Sequence, residues 1–310
     1  ELSRGDFMKI IDAHVHVIQN IAGFGAKGEL RAIGNGQAMW STGDIINLIP
    51  PELGEDSVTY EAVVKFMDEN NIEKAVLLQG SFYGFQNHYT YQAIQKYPER
   101  FTGAATYDPF CLERDAIRDN LFNKLGFKIV KFEVSTGSGL MSYHGKVDLS
   151  GDVMDEVFSD ANERNLVFVI DIGRAESLSF QVDNLRKMIS RYPDMKFVVC
   201  HLLAPRPQDE AVMTEGIRKL NLPNVWFDLA AMPSNVRPEK YPYPTAQHFL
   251  KIAKGIVGAD RLIFGSDVPS VLTRDSYSNL VNFIMLSDLF PESEKEKIFY
   301  KNAEEVYFSR

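Results

Sequence analysis

What this chain has little of argues against several whole classes of protein. Its 310 residues hold two cysteines, Cys111 and Cys200, too few for a disulfide scaffold. No apolar run approaches the ~20 residues that span a bilayer, and no charged-then-apolar signal opens the chain. Lys and Arg number 33 against 42 Asp and Glu, and the resulting net charge of −9 speaks against a nucleic-acid surface. The Gly-x-Gly-x-x-Gly of Gly23–Gly28 lies inside a glycine-rich stretch with no strand–turn–helix context, and no Gly-Lys-Ser/Thr is present to cradle a phosphate. These absences lead us to expect a cytoplasmic protein that acts on small molecules, with no nucleic-acid or membrane partner.

What is present is a repeating alternation. After Thr59, a plausible cap, Ala62, Val63, Phe66 and Met67 recur at helical spacing, and the apolar run from Lys74 to Gln79 follows. The same unit then recurs down the chain, giving eight expected strands in all. The strands are near-continuous apolar runs, such as Leu166–Ile170 and Phe197–Cys200, as parallel strands buried on both faces require. With 45% hydrophobic residues, the chain can bury one large core. The expectation is an α/β protein, a single-domain (β/α)₈ TIM barrel over residues 8–310. Residues 1–7 are expected to be a remnant or disordered N-terminus outside it. The glycine-rich stretch 19–58 is expected to be a long loop, a lid or binding loop.

Chemistry in such a barrel gathers at the carboxyl ends of the strands. His14 and His16 end the first, and their i, i+2 spacing sends both imidazoles to one face. Lys131 and Glu133 end the fourth strand, Asp171 the fifth, His201 the sixth, Asp228 the seventh and Asp267 the eighth. Singly each has a structural explanation: Asp171 or Asp228 as a cap, Lys131 as an ion-pair partner. Together, so many charges after apolar strands are poorly explained by packing.

The order of motifs resembles the amidohydrolase superfamily, in its amidohydrolase-related branch of aminocarboxymuconate-semialdehyde decarboxylase-like enzymes and lactone hydrolases. The matching pieces are Ile11–His16, Gly126–Phe132, Arg191–His201, Leu222–Asp228, Arg261–Pro269 and Asn302–Val306, in order over essentially the whole chain. The resemblance implies one divalent metal, usually zinc, held by His14, His16, a strand-five residue and Asp267, with His201 as acid/base or substrate polariser. This chain departs from the pattern at strand five. Asp171 stands where a histidine is expected, which would add negative charge and favour a harder ion such as Mn²⁺.

The expected function is therefore metal-dependent hydrolysis of a lactone, ester or amide in a small anionic, carboxylated substrate. Asp267 would accept a proton from water and His201 would steady the oxyanion. Arg174, Arg206, Arg237, Lys131 and Tyr83 are the expected substrate contacts. The alternative is non-oxidative decarboxylation of an unsaturated or aromatic acid at the same site. A sensory barrel with decayed catalysis, supported only by Asp171, is the third reading. A homodimer is a further expectation.

Overall fold

The computed structural model describes residues 8–309, so the expected N-terminal remnant lies outside the described residues. The chain opens with strand β1 (Ile10–Val15) and then runs through an antiparallel meander of β2 (Ala22–Gly25), β3 (Gly28–Gly34), β4 (Gln37–Trp40) and β5 (Ile45–Asn47). Strands and helices alternate from there. The strands are β6 (Ile72–Leu77), β7 (Phe101–Gly103), β8 (Ile129–Glu133), β9 (Val167–Asp171), β10 (Phe197–Val199), β11 (Val225–Asp228) and β12 (Leu262–Ile263).

Parallel pairing runs β1-β6-β7 and β8-β9-β10-β11-β12. Two parallel bridges, Ala105 with Val130 and Val15 with Val268, join these arcs into a ring, and Ala13 N–H donates to the Phe264 carbonyl at 3.1 Å across the second seam. The expected (β/α)₈ barrel is therefore the fold. Helix Tyr60–Glu69 begins as expected, with Thr59 Oγ1 accepting from the Ala62 amide at 3.1 Å. No helix among the described residues is long and apolar enough to cross a membrane.

The stretch 19–58 is not the expected loop. Its inward residues, Leu30, Ala38 and Trp40, alternate at period two beneath an outer face, so it is a small sheet. Strands of three to seven residues between glycine turns had read as loop. The meander is fastened to the barrel rim by backbone. The amides of Ala22 and Phe24 donate to the carbonyls of Tyr83 and Ser81, each at 2.8 Å, and Ala26 donates to Gly137 at 3.1 Å.

The barrel interior shows the alternation that positions the site. Ile11, Ala13, Val76, Ile129, Val167, Val169, Val198, Trp226 and Ile263 form one buried cluster, distinct from the shell under the helices. Continuing the same parity upward gives Lys131 and Glu133 on β8, Asp171 on β9, Asp228 on β11, and Asp267 beyond β12. In β1 the register against β6 shifts between Asp12 and Val15. That irregularity lets His14 and His16, rather than Val15, face inward.

Candidate active site

A cavity of about 200 Å³ opens above the apolar layer, lined by His14, His16, Gly80, Phe82, Tyr83, Lys131, Glu133, Ser138, Asp171, His201, Asp267 and Ser270. Larger hollows exist on the outer surface, such as one of about 580 Å³ between helices Val182–Arg191 and Glu210–Lys219, but none of the strand-end residues reaches it. The chemistry belongs to the smaller cavity.

One wall is built on Asp267. Its Oδ1 lies 2.8 Å from His16 Nε2 and 3.2 Å from His14 Nε2. Burial disfavours its charge, but these imidazoles hold the carboxyl well below the usual range, so Asp267 is a carboxylate at neutral pH. His14 Nδ1 donates to Asp228 Oδ2 at 2.9 Å. Burial alone would lower the His14 pKa, yet the charges of Asp228 and Asp267 raise it. Burial lowers His16 to about 4, so it is neutral, and its Nδ1 has no hydrogen-bond partner among the described residues.

A second wall pairs His201 with Asp171, the His201 ring lying 4.8 Å from that of His14. His201 Nδ1 donates to the Ala230 carbonyl at 2.8 Å, which turns Nε2 toward Asp171 Oδ2, 3.5 Å away. Burial opposes the imidazolium, but the Asp171 contact prevails and raises His201 to about 10. Burial likewise opposes the Asp171 carboxylate, and His201 and Lys131 pull it down to about 2. The result is an ion-paired imidazole that shares one cavity with the Asp267 carboxyl.

Asp228 supports both walls. Besides taking His14 Nδ1–H, its Oδ1 accepts the His201 amide at 2.8 Å and the Ala230 amide at 3.2 Å. The capping role expected for it is real and coexists with the His14 contact. Behind β1, buried Asp12 accepts the amides of Ser266 at 2.9 Å and His14 at 3.2 Å and the Tyr277 hydroxyl at 2.9 Å. It thereby ties the backbone of the His pair to that before Asp267.

His14 Nε2, His16 Nε2 and the Asp267 carboxylate lie within 4.8 Å of one another. Three atoms each bonded to zinc at about 2.0–2.2 Å would be separated by only about 3.3–3.6 Å; Asp267 Oδ1 stands 2.8 and 3.2 Å from the two nitrogens, so an ion would need them to part slightly. The Nδ1 hydrogen bond of His14 to Asp228 is the outer-shell contact that leaves Nε2 free to ligate. These residues fit one divalent ion with an open position. Asp171, expected as a further ligand, is not in this group, because its contact is His201.

The expected substrate contacts divide. Lys131 and Tyr83 line the cavity. Lys131 is buried and makes no ion pair among the described residues; burial disfavours its charge, but Cys200 and the carboxylates around it keep its pKa raised. Tyr83 packs edge-on against His16, ring centres 5.1 Å apart. The three arginines do not line the cavity. Arg206 is held by Asp209 at 2.7 Å and Glu176 at 3.4 Å, and Arg174 is exposed on its loop. Arg237 donates to the Ser234 carbonyl at 2.9 Å; Arg274, from the next loop, donates to Ser234 Oγ at 3.0 Å.

Sequence reasoning passed over Arg274, Asp12, Ser138 and Ser270, named Glu133 only as a strand end, and gave Asp228 no role beyond a cap. The parity of β8 and β11 carried the signal for the last two. Glu133 accepts from Ser138 Oγ at 2.9 Å, and burial raises its pKa. A Cβ at Gly80 would lie 2.4 Å from Glu133 Oε2, so a side chain there would push the Glu133 carboxyl from this position.

None of the curated protein sequences matches the chain. Among solved structures, an amidohydrolase from Burkholderia multivorans with bound zinc is similar at a TM-score of 0.72 and 15% identity, covering 97% of this chain and 99% of that one. A probable 2-pyrone-4,6-dicarboxylic acid hydrolase from Acinetobacter baumannii, with citric acid bound, is similar at 0.70 and 19% identity, over 96% and 99% of the two chains. The 5-carboxyvanillate decarboxylase of Sphingomonas paucimobilis is similar at 0.54 and 16% identity, over 79% and 82%. At these identities the likeness speaks to the barrel alone. The amidohydrolase family model matches residues 11–308, nearly the whole chain, and the protein therefore belongs to the amidohydrolase family.

Proposed function

We propose that the chain is a hydrolase that opens a lactone, ester or amide carbonyl in a small carboxylated substrate, with one divalent ion, zinc or manganese, at His14, His16 and Asp267. The observation that carries this reading is that the Asp267 carboxyl and the His201 imidazole line one cavity, with His14 next to both.

The cavity, about 200 Å³, is below the 300–1,000 Å³ of sites for drug-sized ligands, which favours a small substrate. Lys131 supplies a buried cation for its carboxylate, and Arg237 with Arg274 adds positive charge on the rim loops. When bound, the ion would polarise the carbonyl and make a water more acidic. Asp267 accepts a proton as the water oxygen adds to the carbonyl carbon. His201 Nε2–H donates to the oxygen that gains negative charge. The carbon–oxygen or carbon–nitrogen bond then breaks, and the proton held by Asp267 goes to the leaving group.

The test is a panel of carboxylated lactones, esters, amides and unsaturated acids, followed for proton release and for CO₂, beside elemental analysis of the purified protein. Acid formation without CO₂, with about one equivalent of zinc or manganese lost in Asp267→Ala, supports the proposal. CO₂ release would replace it with decarboxylation. Hydrolysis by a protein that takes up no metal would remove the ion from the mechanism and leave Asp267 as the base.

A further inference from the structure

The meander does more than roof the barrel. Its outer face carries Phe24, Ile33, Met39 and Ile45, all between 38% and 52% exposed, while Leu30, Ala38 and Trp40 point inward. Strand register sets Ala22 beside Arg31, Arg31 beside Met39, and Met39 beside Ile45, one row across all four strands. The surface continues past the sheet through a chain of edge-on and tilted rings. Phe24 meets Tyr143 at 5.3 Å between centres, Tyr143 meets His144 at 4.7 Å, and His144 meets Phe110 at 4.6 Å. Leu112, two residues beyond Phe110, is 95% exposed.

Scattered surface apolar residues need no explanation, but a contiguous patch of this kind marks an interaction surface. We infer that this face is where two copies of the chain associate, sheet against sheet about a two-fold axis.

Charge identifies the occupant. The chain carries −9 overall, so two copies repel except where a surface is locally neutral. On the strands and turns of this sheet the charges are paired: Arg31 lies 3.5 Å from Glu29, and Lys27 lies 2.7 Å from Asp44. With both signs side by side, a two-fold axis can set the Glu29 of each copy against the Arg31 of the other. A membrane surface would call for an excess of Lys and Arg on the polar positions, which this face does not have. By strand spacing and the ring distances the patch runs roughly 30 Å by 15 Å. That is on the order of half the ~800 Å² each side gives to a standard interface, so the dimer is reversible. Its inner edge bonds to Ser81 and Tyr83, and Phe82 and Tyr83 line the cavity. Association would thus brace one cavity wall.

Sedimentation velocity from about 1 to 100 µM reads the association over the range suited to an interface of this size. The chain is expected to pass from monomer to dimer, and Met39→Glu to stay monomeric with an unchanged thermal midpoint. Glu29→Arg and Arg31→Glu are each expected to be monomeric alone and to form a one-to-one heterodimer when mixed. A wild-type chain that stays monomeric overturns the inference and leaves the face to a different partner. A dimer that survives Met39→Glu, or charge variants that fail to pair when mixed, overturns it by placing the contact elsewhere.

Discussion

Asparagine at position 228 separates two tasks that one carboxylate performs. Asp228 Oδ1 holds the backbone amides of His201 and Ala230, while Oδ2 takes the Nδ1–H of His14 at 2.9 Å. In Asp228→Asn the amide oxygen keeps the first task, and an NH₂ replaces Oδ2. Two donors would then face each other, so His14 must move its proton to Nε2 and accept at Nδ1. Nε2–H then points at Asp267 Oδ1, 3.2 Å away, and is lost as a ligand.

The fold gives up one charge-assisted hydrogen bond, about 1.5–3 kcal/mol. Loss of an outer-shell partner predicts a fall of about 10–100-fold in divalent-ion affinity. The corresponding carboxylate-to-amide change in a serine-protease triad, which leaves its histidine in the wrong tautomer, costs about 10⁴ in kcat. Imidazole nitrogen shifts by NMR read the tautomer, calorimetric titration with zinc reads affinity, and denaturant melts read stability. None of these needs the substrate. A variant in which His14 keeps its Nδ1 proton, with zinc affinity within about threefold of the parent, far less than the loss from an outer-shell partner, would refute the reasoning. Asp228→Ala, which also orphans both amides, should be less stable than Asp228→Asn by about 1–3 kcal/mol per buried donor.

Because His201 is raised to about 10 in the folded chain, its contribution to stability is complete below the unfolded value of about 6.5 and is lost as pH climbs through 10. Melting temperatures should therefore decline across that window, and Asp171→Asn should flatten the decline; a profile identical in both proteins would deny the pairing. Lys131→Met should raise KM for carboxylated substrates roughly tenfold or more, as loss of a charge-assisted hydrogen bond predicts, and leave kcat near the parent value. A fall in kcat alone would remove Lys131 from substrate binding. In Gly23→Ala the new Cβ would stand 1.9 Å from the Phe82 carbonyl oxygen, so the meander must shift from the cavity wall, at a cost of about 1–3 kcal/mol in denaturant melts. An unchanged melt would mean that the wall yields freely.

Much of this site was readable because a parallel strand buried on both faces leaves a record of parity. Ile129, Lys131 and Glu133 follow one another at period two, as do Val167, Val169 and Asp171, so the polar residues that continue the inward apolar series had to enter the barrel. The arginines lay on loops, where no period constrains direction. Arg206 is taken by Asp209 three residues later, an interaction local enough to be weighed from sequence, whereas Arg237 and Arg274 meet at Ser234 from two separate loops. The meander was missed because its short strands between glycine turns leave too few residues to show alternation.

His201 is the residue that parity alone would have misplaced. Cys200 holds the inward position of its strand, yet it is the His201 imidazole that reaches the cavity. The chain achieves this with a left-handed run, φ of 61°, 49°, 67° and 51° at His201, Leu202, Leu203 and Ala204, none of them glycine. Ala231 at 60° and Asp267 at 75° adopt the same region just beyond the next two strands. Such a conformation costs an L-residue on the order of 1–2 kcal/mol and persists only where its surroundings enforce it. Here the enforcing contacts are the Asp228 bonds to the His201 and Ala230 amides and the bond from the Asp267 amide to the His14 carbonyl at 2.8 Å. The strain thus sits at the two residues aimed into the cavity, His201 and Asp267. It is held by the same carboxylate and strand that orient the histidines, so the aim of the acid and the aim of the base are set together.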